Sequence, residues 1–194
     1  MGKPARVKGV ASFAARFVVF GPLYLVLWWL VLPAYARLLG LVTSAVLKYI
    51  ANIPVESFGV SNTGLTNPSG ILNTGTTLTF VVEGAPRTMP GLGSLVTNVA
   101  PFVALVLATS VLDIVRRAKI IGMGVPVLFV AHIAFIVVAF MAGASEFSTA
   151  IAQLFITLPF LLWIVLAYWD KLASYFFENQ DKAEPKAPDA GGDT

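Results

Sequence analysis

The sequence predicts an all-α integral membrane protein: a bundle of four transmembrane helices with an outer amphipathic helix and a small periplasmic β-rich insertion. Hydrophobic residues make up 57% of the 194 residues and charged residues only 12%, whereas a soluble domain carries about 25% charged residues. The mean hydropathy is +0.82. This composition excludes a disordered chain and a nucleic-acid-binding module. The sequence has no cysteine for a disulfide, a thiolate metal site or thiol chemistry.

The four predicted spans are apolar runs at residues 17–36, 92–115, 120–144 and 150–169. A helix needs about twenty residues to cross ~30 Å of hydrocarbon, and each run is long enough. The basic residues Arg116, Arg117 and Lys119 separate the second run from the third and predict a short cytoplasmic turn.

The distribution of Lys and Arg predicts the orientation. Four precede the first span, three lie in the predicted turn and three follow the last span, while Arg37, Lys48 and Arg87 fall on the other side. Because cytoplasmic segments carry the excess of Lys and Arg, we expect the chain in a lipid bilayer with both termini in the cytoplasm.

Five segments follow from this topology. They are a basic cytoplasmic amino terminus (1–16), a first transmembrane helix plus an interfacial helix (17–53), a periplasmic β-rich cap (54–93), three transmembrane helices (94–169) and a cytoplasmic tail that is disordered at its end (170–194). The alternative for the first span is a cleavable signal peptide, because Ala34-Tyr35-Ala36 imitates a cleavage site. The length of the run and the bulk of Trp28 and Trp29 favour a retained anchor.

Residues 37–53 show helical periodicity of apolar residues, with Arg37, Ser44 and Lys48 on the opposite face. This pattern predicts either an amphipathic helix on the outer membrane surface or a kinked continuation of the first span past Pro33. It fits equally a helix that is simply packed on its neighbours. In the cap, residues 55–60 and 76–82 have the β-branched, partly alternating character of strands, with turn residues between them. We therefore expect two or three strands.

Ionisable residues inside hydrocarbon are candidates for function, and three occur: Asp113, His132 and Glu146. Asp113 can pair with Arg116 or Arg117 on the same helix face. Glu146 falls in a short outer connection, where it can stay solvated or cap the fourth helix. His132 lies ~20 Å along its helix from Lys119, and as a neutral imidazole it needs a hydrogen-bonding partner. The polar residues available on neighbouring spans are Thr97, Asn98, Thr109, Ser110, Gln153 and Thr157.

A resemblance is carried by Asn98-Val99-Ala100-Pro101, by Arg116-Arg117-Ala118-Lys119 and by residues 120–129 with Gly122, Gly124 and Pro126. These stretches resemble the central helices of the exosortase/archaeosortase enzymes, which process carboxyl-terminal sorting signals with a Cys, Arg and His set. The nucleophile of that set is missing from this chain, so the activity does not carry over.

The layout is also similar to exosortase H-associated membrane proteins. The similar features are Pro22 and the Trp28-Trp29 pair in an Arg-led first span, an outer β-rich insertion, residues 98–101, and a last span with Thr157-Leu158-Pro159 and Trp163. This resemblance implies an accessory subunit of a protein-sorting system in the inner membrane of a Gram-negative bacterium, with an exosortase-like enzyme as its partner and no catalytic residues.

Two other functions remain as alternatives. One is an unconventional membrane enzyme centred on His132, with Asn98 and Arg87 near the outer face, and the other is a small transporter or channel subunit. The sequence shows no nucleophile, metal-ligand cluster or phosphate-binding loop, which favours a non-catalytic protein without a cofactor. The candidate functional or interhelical polar residues are His132, Asn98, Asp113 and Arg87.

Overall fold

The computed structural model describes residues 4–61, 76–89, 96–110, 112–142 and 157–169, and this part of the chain is mostly helical with one three-stranded sheet. Two helices are long and apolar enough to cross a membrane by length and composition: Ala11–Tyr49 and Ile114–Met141. The prediction of four full-length spans is therefore wrong for the described residues. The second and fourth apolar runs contain the shorter helices Val99–Ala108 and Thr157–Trp169.

Helix α1, Pro4–Tyr49, has 46 residues and passes through Pro22 and Pro33. It is ~69 Å long, since each residue adds ~1.5 Å. The separate interfacial helix predicted at residues 37–53 is wrong, and the alternative of a continuation past Pro33 is confirmed. A proline removes one donor from the helix, and neighbouring packing can compensate for that loss. The chain leaves the helix only near Asn52, whose φ of 54° is left-handed.

The cap is an antiparallel sheet of β1 (Val55–Ser61), β2 (Thr77–Val82) and β3 (Ala85–Met89), in the order β1-β2-β3. Both predicted strands are confirmed. Glu83 and Gly84, with φ of 53° and 73°, connect β2 to β3; two positive φ values are what a two-residue type I′ hairpin needs. The turn-rich residues 62–75 lie outside the described part.

The sheet packs on the second half of α1. Alternate residues of β2 face the core, so that Leu78 and Phe80 are fully buried. At Gly40 of α1 a Cβ atom would lie 2.7 Å from the ring of Phe58 and 2.9 Å from Leu78. Only a glycine permits this close approach of helix and sheet without a shift.

The second apolar run forms helix α2, Val99–Ala108, with ten residues, which span ~15 Å. Helix α3 then begins at Ile114 and continues to Ala142. The helix break therefore lies between Ala108 and Ile114. The predicted turn at Arg116, Arg117 and Lys119 is wrong because these residues lie inside α3. Helix α4 spans Thr157–Trp169. Glu146, Gln153 and the tail at 170–194 lie outside the described residues.

The helices and the sheet pack together through two clusters of apolar side chains. One joins the second half of α1 and the sheet to the end of α3, through Leu39, Phe80 and Ile136. The other joins α2, the first half of α3 and α4, through Phe102 and Leu128 among others. Trp28 and Tyr35 of α1 pack against both clusters.

Helices α1 and α3 run in opposite directions. Near the start of α1, Phe13 stacks on Trp163 of α4, with ring centroids 5.8 Å apart, and Arg116 Nη2 at the start of α3 donates a hydrogen bond of 3.5 Å to the carbonyl of Ala167 in α4. At the other end, Phe140 of α3 contacts Phe80 of the sheet. The molecule thus has a basic end, with Arg16 and the start of α3, and a sheet end.

Candidate functional site

The clearest polar contact between the two long helices joins Tyr35 of α1 to His132 of α3. The Tyr35 hydroxyl lies 2.7 Å from His132 Nδ1, and His132 is 1% exposed. When the imidazole proton is on Nε2, the Tyr35 hydroxyl donates to Nδ1, which satisfies the hydroxyl proton and the Nδ1 lone pair. The partner of Nδ1 is therefore none of the residues expected from the sequence, which were Thr97, Asn98, Thr109, Ser110, Gln153 and Thr157.

Aromatic rings enclose this contact. Trp28, Phe129 and His132 each meet the Tyr35 ring edge-on, with centroids 5.0, 5.6 and 6.0 Å away. Such T-shaped pairs contribute ~0.5–1.5 kcal/mol each beyond their buried area. The described residues contain no group of three or more His, Cys, Asp or Glu placed to hold a metal ion. The arrangement therefore suits a fixed hydrogen bond that ties α1 to α3.

The other candidate residues lie elsewhere. Arg87 is on β3, where its guanidinium sits 5.4 Å above the ring of Phe140. Asn98 is the residue before α2, and its carbonyl accepts a 3.3 Å hydrogen bond from the amide of Phe102. Asp113 precedes α3, nineteen residues or ~28 Å along the helix from His132. The four candidates do not form a single site around His132.

Asp113 has a local role that sequence analysis did not predict. Its Oδ1 accepts a 3.0 Å hydrogen bond from the backbone N–H of Arg116, the third residue of α3. This is N-capping, in which a carboxylate satisfies a backbone donor at the helix start. Asp113 thereby defines where α3 begins.

The helix break before Asp113 is held by side chains from two other helices. Arg117 Nη2 of α3 donates to the carbonyl of Thr109 at 3.0 Å, and Trp163 Nε1 of α4 donates to Thr109 Oγ1 at 3.0 Å. The hydroxyl of Thr109 in turn donates to the carbonyl of Leu105 at 2.8 Å. These contacts join α2, α3 and α4 at the basic end.

At the sheet end, an apolar groove lies between α1 and β1. It is lined by Arg37, Leu38, Leu41, Phe58 and Val60. Leu38 and Leu41 are 53% and 57% exposed. The face of α1 that is buried on the sheet instead carries Leu39, Thr43 and Leu47. Leu38 and Leu41, two residues of the apolar face predicted from periodicity, thus form the exposed α1 wall of this groove.

Comparison of the chain with protein-family models, with curated proteins and with solved structures finds no match. The function is therefore inferred from the residues and their geometry.

Proposed function

We propose that the chain is a multi-pass membrane protein in which α1 and α3 cross the bilayer. The support comes from the surface of the two helices, where large apolar side chains point outward; Leu30 is 76% exposed and Val130 63%. On α1 this surface lies between Arg16 and Arg37, which enclose twenty uncharged residues, the length that ~30 Å of hydrocarbon requires. Exposure of this apolar area to water would cost ~25 cal/mol of free energy per Å². Contact with lipid tails does not carry that cost.

The proposed orientation places the basic end in the cytoplasm and the sheet in the periplasm of a bacterial inner membrane. Arg16, Arg116, Arg117 and Lys119 lie at the basic end, in accord with the excess of positive charge on the cytoplasmic side. Between the sheet and the basic end the chain passes along α2. Seven of the ten residues of α2 are buried, so we propose that it crosses the bilayer region shielded by α1 and α3, although it is too short to span alone.

Within the membrane, we propose a non-catalytic accessory subunit that binds another membrane protein. The single observation that carries this proposal is the apolar groove between α1 and β1. It begins at Arg37, where the uncharged stretch of α1 ends, so Leu38, Leu41 and the 75% exposed Tyr49 would extend past the hydrocarbon. An exposed apolar surface beside a folded sheet is typical of a protein interface. The tie between Tyr35 and His132 supports a structural role for the histidine.

The resemblance to exosortase H-associated proteins leads us to propose an exosortase-like enzyme as the partner, in protein sorting. The test is co-expression of the chain with such an enzyme from the same genome, followed by purification in mild detergent. We expect a complex that is lost when Leu41→Lys places a charge in the groove and is retained when Leu23→Lys places one on the lipid-facing surface of α1.

Both variants must first be shown to reach the membrane. A complex that persists in Leu41→Lys would refute the groove as the interface. Failure of the wild-type chain to form any complex would refute the proposed partner. Processing of a sorting signal by the chain alone, lost in His132→Gln at normal abundance, would favour the enzyme alternative.

A further inference from the structure

A second groove lies at the basic end, between the start of α3 and the end of α4. Its volume is about 640 Å³, and its lining includes Asp113, Arg116, Lys119, Met123, Val165 and Trp169. None of these residues takes part in the contact between Tyr35 and His132. The groove is also at the opposite end of α1 from the proposed partner interface.

Along α3, the charged residues of this groove come first and an apolar residue follows them. Arg116 and Lys119 lie in the first two turns of α3, and Met123 follows one turn later. On α4, Trp169 is the last described residue and Val165 lies one turn before it. The groove therefore has a charged mouth with an aromatic residue and an apolar interior.

The charges at the mouth favour an anion. Among the described residues that line the groove, Arg116 and Lys119 supply two positive charges and Asp113 one negative charge. The carboxylate of Asp113 is engaged with the amide of Arg116 as the cap of α3. The guanidinium of Arg116 is anchored at the α4 wall by its hydrogen bond to Ala167. Lys119 is exposed at the mouth, where a flexible ammonium group can meet a phosphate.

We propose that this groove binds an anionic phospholipid, with the phosphate at Arg116 and Lys119 and an acyl chain along Met123 and Val165. The proposal rests on the membrane insertion proposed above. Basic pockets between membrane helices on the cytoplasmic side are suited to acidic headgroups, and Trp is favoured at the depth of the headgroups. A free phosphate ion would use the charged mouth but not the apolar interior.

The test uses the full chain in nanodiscs of phosphatidylcholine, with or without a minor fraction of phosphatidylglycerol of the same acyl chains. Retained lipids are counted by native mass spectrometry. We expect selective retention of phosphatidylglycerol, and we expect Lys119→Gln to weaken it about fivefold, equivalent to ~1 kcal/mol for one cation. Lys48→Gln removes a lysine at the sheet end and is the matched control, in which selectivity is unchanged.

Equal retention of the two lipids by the wild-type chain would overturn the lipid site. An equal loss in Lys119→Gln and Lys48→Gln would do the same, because it would show attraction by overall charge. Inorganic phosphate that stabilises the chain in phosphatidylcholine nanodiscs as much as phosphatidylglycerol does would indicate a soluble anion and also overturn the proposal. A chain that does not enter nanodiscs at all would refute the membrane insertion itself.

Discussion

Two glycines of α3 provide a matched test of the packing between α2 and α3. A Cβ atom at Gly124 would overlap the ring of Phe102, with Cε1 only 2.6 Å away, and Phe102 is fully buried. A Cβ atom at Gly122 would have no neighbour within 4 Å. Replacing either glycine by alanine raises helix propensity and so stabilises the helix by the same amount, up to ~1 kcal/mol. Only Gly124→Ala overpacks the contact with Phe102, which lowers the free energy of unfolding by ~1–3 kcal/mol. Gly124→Ala should therefore be less stable than Gly122→Ala by ~1–3 kcal/mol.

The difference can be measured by unfolding the two variants in mixed detergent micelles and following tryptophan fluorescence. A third variant tests the cause, because Phe102→Leu removes the ring that the added methyl group would meet. Phe102→Leu should cost less in the Gly124→Ala background than in the wild-type chain, as expected for residues in contact. Equal stability of Gly122→Ala and Gly124→Ala would refute the close packing of α2 on α3.

Three further predictions concern the tie, the sheet and the topology. His132→Gln should retain a hydrogen-bonding group for Tyr35 and most of the free energy of unfolding, whereas His132→Leu should lower that free energy by ~1–2 kcal/mol. Unfolding in micelles measures both variants, and equal losses would contradict the hydrogen bond between Tyr35 and His132. Gly40→Ala should destabilise the contact between α1 and the sheet by ~1–3 kcal/mol. Gly21→Ala should leave that contact unchanged, because Gly21 has open space around it. Hydrogen exchange of the β2 amides measures the difference. Reporter fusions ending after Gly84 and after Lys119 should be periplasmic and cytoplasmic, and reporters on the same side would contradict the topology.

The sheet was largely predictable because its signal is local. Residues 76–82 combine β-branched side chains with alternation, and in β2 the alternation matches burial, with Leu78, Phe80 and Val82 facing the core. Strand β3 was not identified, since Pro86 and Arg87 are unfavourable or neutral in strands and its first four residues are exposed. The positive φ values at Glu83 and Gly84 show that the pair Glu-Gly was the signal for that hairpin.

The partner of His132 was harder to predict. Tyr35 lies 97 residues away in sequence and inside Ala34-Tyr35-Ala36, which resembles a cleavage site. In the structure Ala36 is fully buried and Tyr35 packs among aromatic rings, which supports the interpretation as a retained anchor. Only the antiparallel placement of α1 and α3 brings the hydroxyl to the imidazole, and residue spacing within either helix contains no information about that placement.

The helix break at Thr109 shows why the second apolar run did not become one long helix. In the membrane insertion that we propose, lipid offers no hydrogen bonds to the backbone groups that a break exposes, so a break needs partners from elsewhere in the protein. Arg117 supplies one to the Thr109 carbonyl, and Trp163 supplies another to its hydroxyl. Because these donors come from α3 and α4, the break is stable only when those helices are in place. Hydropathy scores each residue by itself, and it therefore assigns Thr109 to a span and Arg117 to a loop although the two are hydrogen-bonded.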